Sequence, residues 1–203
     1  MRPPPPPPPS VKDADALDTT ALLRWAATRL PPLAAALAAA PGVRVADLRA
    51  AATKFAAGQS NPTYKLHITS TAAAAAAAGG GAPAPAIDLT VVVRKKPRGA
   101  LLPSAHAVER EFAVLAALAD TPVPVPAVYA LCTDVGVVGT PFYVMAHVDG
   151  RVFADPGLPG VPPAERAAMY AAVVAAAAAL HALDVGGLGL DARAFPPTPR
   201  GGT

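Results

Sequence analysis

The sequence is poor in most of the features that would announce a chemistry directly. It has one cysteine, Cys132, in 203 residues, which excludes an internal disulfide and any cysteine-based metal centre and leaves Cys132 to be read as a small core residue. Aromatic side chains make up 5% of the chain, too few for a surface on which bases could stack. Charge of neither sign dominates: 17 Lys and Arg against 14 Asp and Glu give a net +3, and that balance carries no expectation of nucleic-acid binding. The longest unbroken apolar run, Met169 to Leu180, has 12 residues and falls short of the roughly 20 that a membrane-spanning helix needs. The start does not read as a secretory leader, because Arg2 is followed by seven prolines rather than an apolar run. The expectation is a soluble, intracellular protein without membrane or nucleic-acid partners.

Proline and glycine, by contrast, are plentiful, at 26 and 16 residues, and they punctuate the chain. Residues 1 to 16 are proline-rich and then polar, and read as a disordered leader. From Asp18 to Ala40, leucines and Trp25 spaced among alanines predict two short helices around Pro31-Pro32, capped by Asp18 or Thr19. A strand is expected near Thr53 to Ala57, followed by turn chemistry over Gly58-Gln59-Ser60-Asn61-Pro62-Thr63 and a second strand from Tyr64 to Thr69, together a hairpin. Such a loop offers backbone N–H groups and small hydroxyls to a phosphate; the plain alternative is a turn and nothing more. Residues 70 to 86, alanines, glycines and Ala-Pro repeats, read as a mobile, functionally silent insertion between two paired strands.

The most informative stretch runs from Val91 to Phe112. Val91, Val92 and Val93 are β-branched and Pro97 cannot donate to a ladder, so a strand over Ile87 to Arg94 ends there. Alternation puts Val92, Arg94 and Lys96 on one face and Val91, Val93 and Lys95 on the other. A helix is expected after Ser104, a candidate N-cap, with Val108, Phe112, Leu115 and Leu118 on one stripe. Glu111 falls within that stripe, whereas Glu109 points more nearly outward. A carboxylate on a buried face is costly unless paired, and the nearest cationic face begins 17 positions earlier at Arg94. An Arg94 to Glu111 ion pair follows; the alternative is a half-exposed Glu111 and a solvated Arg94.

Further strands are predicted at Val128 to Cys132 and Pro141 to Val148, with a turn at Gly136 to Gly139, and a long alanine-rich helix from Pro163 to Leu183. His181 near its end reads as a packing or capping histidine.

The succession of strand, small-residue loop, strand, cation-bearing strand, glutamate-bearing helix, two strands, connector and long helix resembles the amino-terminal lobe of the protein-kinase-like fold. Four segments, Gly58 to Tyr64, Leu101 to Phe112, Gly139 to Met145 and Leu180 to Asp184, resemble more closely the aminoglycoside phosphotransferase and choline kinase-like family, in the branch found ahead of acyl-CoA dehydrogenase domains. The resemblance implies an α+β chain: a leader at 1–16, a kinase-like N-lobe with a five-stranded antiparallel sheet and a C-type helix at 17–148, and the start of a C-lobe at 149–203.

The same resemblance implies roles. Arg94 would hold the α- and β-phosphates of ATP and Glu111 would fix it. Gly58, Gln59, Ser60, Asn61 and Thr63 would cover the phosphates, although the loop lacks the Gly-x-Gly-x-x-Gly form. Val92 would line the adenine pocket, and Met145, Ala146 and Val148 would form the hinge, with the backbone of Ala146 and Val148 meeting adenine. One departure matters most. The family's His-Gly-Asp catalytic loop and later metal-binding Asp have no counterpart: His67, His106, His147 and His181 are the only histidines and none precedes Gly-Asp. The expected activity is ATP-dependent phosphoryl transfer to a small-molecule hydroxyl in a longer protein, with Mg²⁺ bound only once the rest of the C-lobe is supplied and this chain inactive alone. The alternative is a non-catalytic nucleotide- or partner-binding domain attached to an acyl-CoA dehydrogenase, in cytoplasm, peroxisome or mitochondrion.

Overall fold

The fold is given by a computed structural model that describes residues 17–55, 60–70, 87–99, 106–153 and 155–190. Helix α1 (Thr19–Arg29) starts at Asp18, whose carboxylate accepts from the amides of Thr20 and Ala21, both at 3.0 Å, satisfying two of the orphan N–H groups of the first turn. Helix α2 (Pro31–Ala39) follows directly, with its prolines in the first turn where a missing N–H costs nothing. The side chains of Leu22, Ala26, Leu30 and Leu33 are buried beneath a sheet.

That sheet has five antiparallel strands in the order β1-β2-β3-β5-β4: β1 (Leu48–Lys54), β2 (Thr63–Ser70), β3 (Asp88–Lys95), β4 (Val128–Cys132) and β5 (Phe142–Ala146). Residues paired across an antiparallel ladder share a face. Leu66, Ile68, Val91, Val93, Phe142 and Val144 therefore turn together toward α1 and α2, and Trp25 of α1 meets Phe142 edge to face with ring centres 4.8 Å apart. Lys95 lies on this same face and is fully buried.

The opposite face carries the polar rungs. Helix α3 (Val108–Leu118) covers its far end, lying over β4 and β5 with Phe112 against the Tyr143 ring. A single helical turn, α4 (Val135–Val138), links β4 to β5, and α5 (Pro163–His181) follows β5. No residue of α5 is buried; Arg151 pairs with Glu165, and Tyr170 donates to the Pro156 carbonyl at 2.6 Å.

Apart from shifts of one or two residues at the ends of other elements, three features differ from the sequence reading. The first strand spans Leu48–Lys54 rather than 53 to 57: its Ala-Ala-Ala centre has little intrinsic β preference, and the full ladder to β2, from Leu48 opposite Ser70 to Lys54 opposite Tyr64, overrides it. The turn at 136 to 139 is a helical turn, because the Asp134 carboxylate caps the Gly136 amide at 2.8 Å and Gly139 closes it at φ +87°. Helix α3 begins at Val108 with Ala107 as its N-cap; Ser104, the cap expected from sequence, and the insertion at 71–86 lie outside the described residues. Among the described residues no helix is long and apolar enough to cross a membrane.

Candidate functional site

The register of the central strands assembles the site. Thr63 of β2, Arg94 of β3 and Tyr143 of β5 form one rung, and Lys65, Val92 and Met145 form the next on the same face. Two residues along a strand separate the rungs by about 7 Å.

On the first rung, Arg94 Nε donates to Glu111 Oε2 at 2.5 Å and Nη2 to Oε1 at 3.1 Å, a two-pronged ion pair between β3 and α3. Glu111 reaches the strand because it sits within the stripe that α3 lays on the sheet. Arg94 Nη1 is also engaged, donating to Thr63 Oγ1 at 2.9 Å and to the Asn61 carbonyl at 3.3 Å. Asn61, 1% exposed, donates through Nδ2 to Glu111 Oε1 at 2.8 Å, and the Tyr143 hydroxyl donates to Oε2 at 3.2 Å. Four donors thus converge on one carboxylate.

The electrostatics follow. Burial by itself pushes the Glu111 carboxyl up, but the Arg94 hydrogen bonds and charge, joined by the hydrogen bonds of Asn61 and Tyr143, hold it below the usual glutamate value. The Arg94 guanidinium is shifted upward, chiefly by its hydrogen bonds to Glu111. The Tyr143 phenol is pushed up by burial and then by the Glu111 charge, so it remains a donor. Ser60, Asn61, Arg94, His106, Arg110 and Tyr143 are among the residues around an open cavity of about 560 Å³ at this end.

The second rung borders a separate open cavity of about 500 Å³, lined by Val92, Met145, Ala146 and Val148 together with Phe55, Thr63, Lys65 and Pro126. The structure therefore gathers the four residues expected around adenine in one groove. The Ala146 amide donates to the Ala127 carbonyl at 2.8 Å, so a base could meet the main chain of that residue only through its carbonyl. Val148 is 70% exposed at the rim. Of the expected phosphate loop, Ser60, Asn61 and Thr63 stand beside Arg94, whereas Gly58 and Gln59 lie outside the described residues.

These residues fit a purine nucleotide in kind: apolar walls on one rung and a cation on the next. Among the described residues no group of three or more His, Cys, Asp or Glu side chains gathers in a way that could hold a metal ion.

Sequence reasoning passed over three participants. It treated Asn61 only as part of a phosphate cover, whereas its side chain braces Glu111. Tyr143 and His106 carried no role; Tyr143 stands beside Arg94 through the β3 to β5 register, which strand alternation does not give. Glu109, expected to point outward, is held by Lys96 at 2.7 Å, because the chain stays extended past β3 and the Lys96 amide still reaches the Pro141 carbonyl.

A five-stranded antiparallel sheet with a helix glutamate fixing a third-strand cation defines a kinase-like phosphotransferase lobe. Residues 51–198 match the phosphotransferase enzyme family, and the chain belongs to that family. It is 36% identical to a Ralstonia eutropha protein provisionally named an aminoglycoside phosphotransferase, superposing with a TM-score of 0.57 over 86% of this chain and 41% of that one. It is also similar to the probable acyl-CoA dehydrogenase IBR3 of Arabidopsis thaliana, 46% identical over 140 residues, or 68% of this chain and 15% of that protein. Acyl-CoA dehydrogenase family member 11 of Rattus norvegicus is 45% identical over 139 residues, 68% of this chain and 16% of its own length. The chain thus spans about one sixth of the length of these curated relatives.

Proposed function

We propose that this chain forms the nucleotide-binding side of an ATP-dependent phosphotransferase that acts on a small-molecule hydroxyl. The observation that carries the reading is the pair of adjacent rungs. Val92 and Met145 offer an apolar berth for adenine, and Arg94, held by Glu111, stands one rung further along the same face where the phosphates would extend. Phosphoryl transfer rests on positioned phosphates, neutralised charge and a base acting together. Arg94 contributes to the first two, and these 203 residues contain no His-Gly-Asp segment, so the chain alone is expected to bind nucleotide intracellularly without transferring phosphate. Base, Mg²⁺ ligands and acceptor pocket would come from sequence outside it.

A second reading has the domain bind nucleotide without catalysis while attached to an acyl-CoA dehydrogenase; the names of the curated relatives favour that attachment. Both readings require nucleotide binding, which calorimetric titration of the purified chain with adenosine, ADP and ATP would measure. Saturable binding is expected, abolished for all three by Val92→Phe and weakened about tenfold for ADP and ATP alone by Arg94→Ala. Absence of binding, or binding indifferent to Val92→Phe, would remove both. A downstream coding sequence that supplies His-Gly-Asp would favour transferase over passive binder.

A further inference from the structure

We infer that His106 and Asn61 form a positioning relay that sets the Arg94 guanidinium for phosphate, an inference that rests on the nucleotide reading above. Asn61 is nearly sealed from solvent and uses three polar atoms on three different elements. Its Nδ2 meets Glu111 on α3, its carbonyl accepts from Arg94 on β3, and its Oδ1 lies 3.1 Å from His106 Nδ1 in the segment entering α3. The Glu111 carboxylate, held ionised by its partners, can only accept, so the amide nitrogen must face it. Oδ1 is then an acceptor too, and His106 Nδ1 must carry a hydrogen.

The backbone supports this role. His106 has φ +58°, a left-handed conformation uncommon for a residue with a side chain and more frequent for His, Asn and Asp. That conformation aims the imidazole back over the β1 to β2 hairpin while the chain turns into α3; the His106 carbonyl accepts from the Val108 amide at 2.9 Å. Glu111 therefore fixes which way the Asn61 amide faces, and His106, by donating to the Asn61 oxygen, holds that amide in place against the carboxylate that grips Arg94. The relay ties the loop before β2 to the helix through Asn61, which meets both Glu111 and His106.

The test separates this relay from nucleotide binding as such. Long-range ¹H–¹⁵N spectra of the full chain should show His106 with its hydrogen on Nδ1, a signature lost in Asn61→Ala. An Nε2–H neutral tautomer in the native protein would overturn the relay whatever the nucleotide does. In parallel titrations, Asn61→Ala and His106→Gly should weaken ADP about tenfold and leave adenosine within twofold, while His106→Asn restores ADP. Asparagine tolerates the left-handed backbone and places an N–H near the Nδ1 position. If ADP and adenosine weaken together, or ADP is unaffected, the relay is merely structural and the inference fails. If the native protein binds neither ligand but keeps the Nδ1–H signature, the nucleotide reading falls, and the relay's role toward phosphate falls with it although the His106 to Asn61 hydrogen bond stands.

Discussion

Asn61 and Glu111 stand fifty residues apart in the chain and 2.8 Å apart in the fold, with the Asn61 amide donating to a carboxylate that also holds Arg94 in a two-pronged pair. The loop before β2 and the helix after β3 are therefore joined at the carboxylate that holds Arg94. Disturbing the carboxylate should be felt on both sides.

Glu111→Ala removes the acceptor shared by Arg94, Asn61 and Tyr143. The pair is neither buried nor free, with side chains 25% and 32% exposed, so water compensates part of the loss. A destabilisation of about 1–2 kcal/mol is expected, between the small value of surface pairs and the larger one of sealed pairs. Urea unfolding would read it as a lower midpoint at unchanged slope; an unchanged midpoint would show that the pair contributes only to geometry.

Stability should also depend on acid through this residue. The Glu111 carboxyl lies below its ordinary value of 4.5 in the folded chain. A group lowered by folding adds stability that is present above its unfolded value and lost as pH falls through its folded one. The unfolding free energy is therefore expected to decline as pH drops below 4.5, and Glu111→Gln should lack that share of the decline. Parallel urea titrations in steps from pH 6 to pH 3 would check the sign; identical slopes for both proteins would contradict it.

Phe142 is fully buried and meets Trp25, the single tryptophan of the chain, edge to face at 4.8 Å. Phe142→Leu should cost about 1–3 kcal/mol through lost area, a small void and the lost ring contact. Tryptophan emission reports this contact directly, so the folded-state spectrum should change along with the unfolding midpoint. A midpoint shift without a spectral change would argue that Trp25 is not seated against this ring.

Much of this was legible in advance because the relevant signals are local. Three valines ending in Arg94 mark a strand that places a cation, and Glu111 inside an apolar helical stripe demands a partner, which charge and alternation could name. Strand β1 was misplaced because Leu-Arg-Ala-Ala-Ala-Thr-Lys carries almost no β signal of its own; its partner β2 makes it a strand. The roles of Asn61 and His106 were not legible, since a turn asparagine and a histidine between a Pro-Ser pair and a helix look like ordinary turn chemistry until the hairpin and α3 are brought together.

The sequence by itself determined the order of elements, the residues that share each face and the need of Glu111 for a cation, because periodicity and the cost of burying charge act over a few turns of chain. Only the tertiary structure decided the cross-strand register that puts Arg94 beside Tyr143 and Val92 beside Met145, and the convergence of Asn61, Tyr143 and Arg94 on one carboxylate. Those relations depend on how distant strands align, and no local preference encodes the alignment.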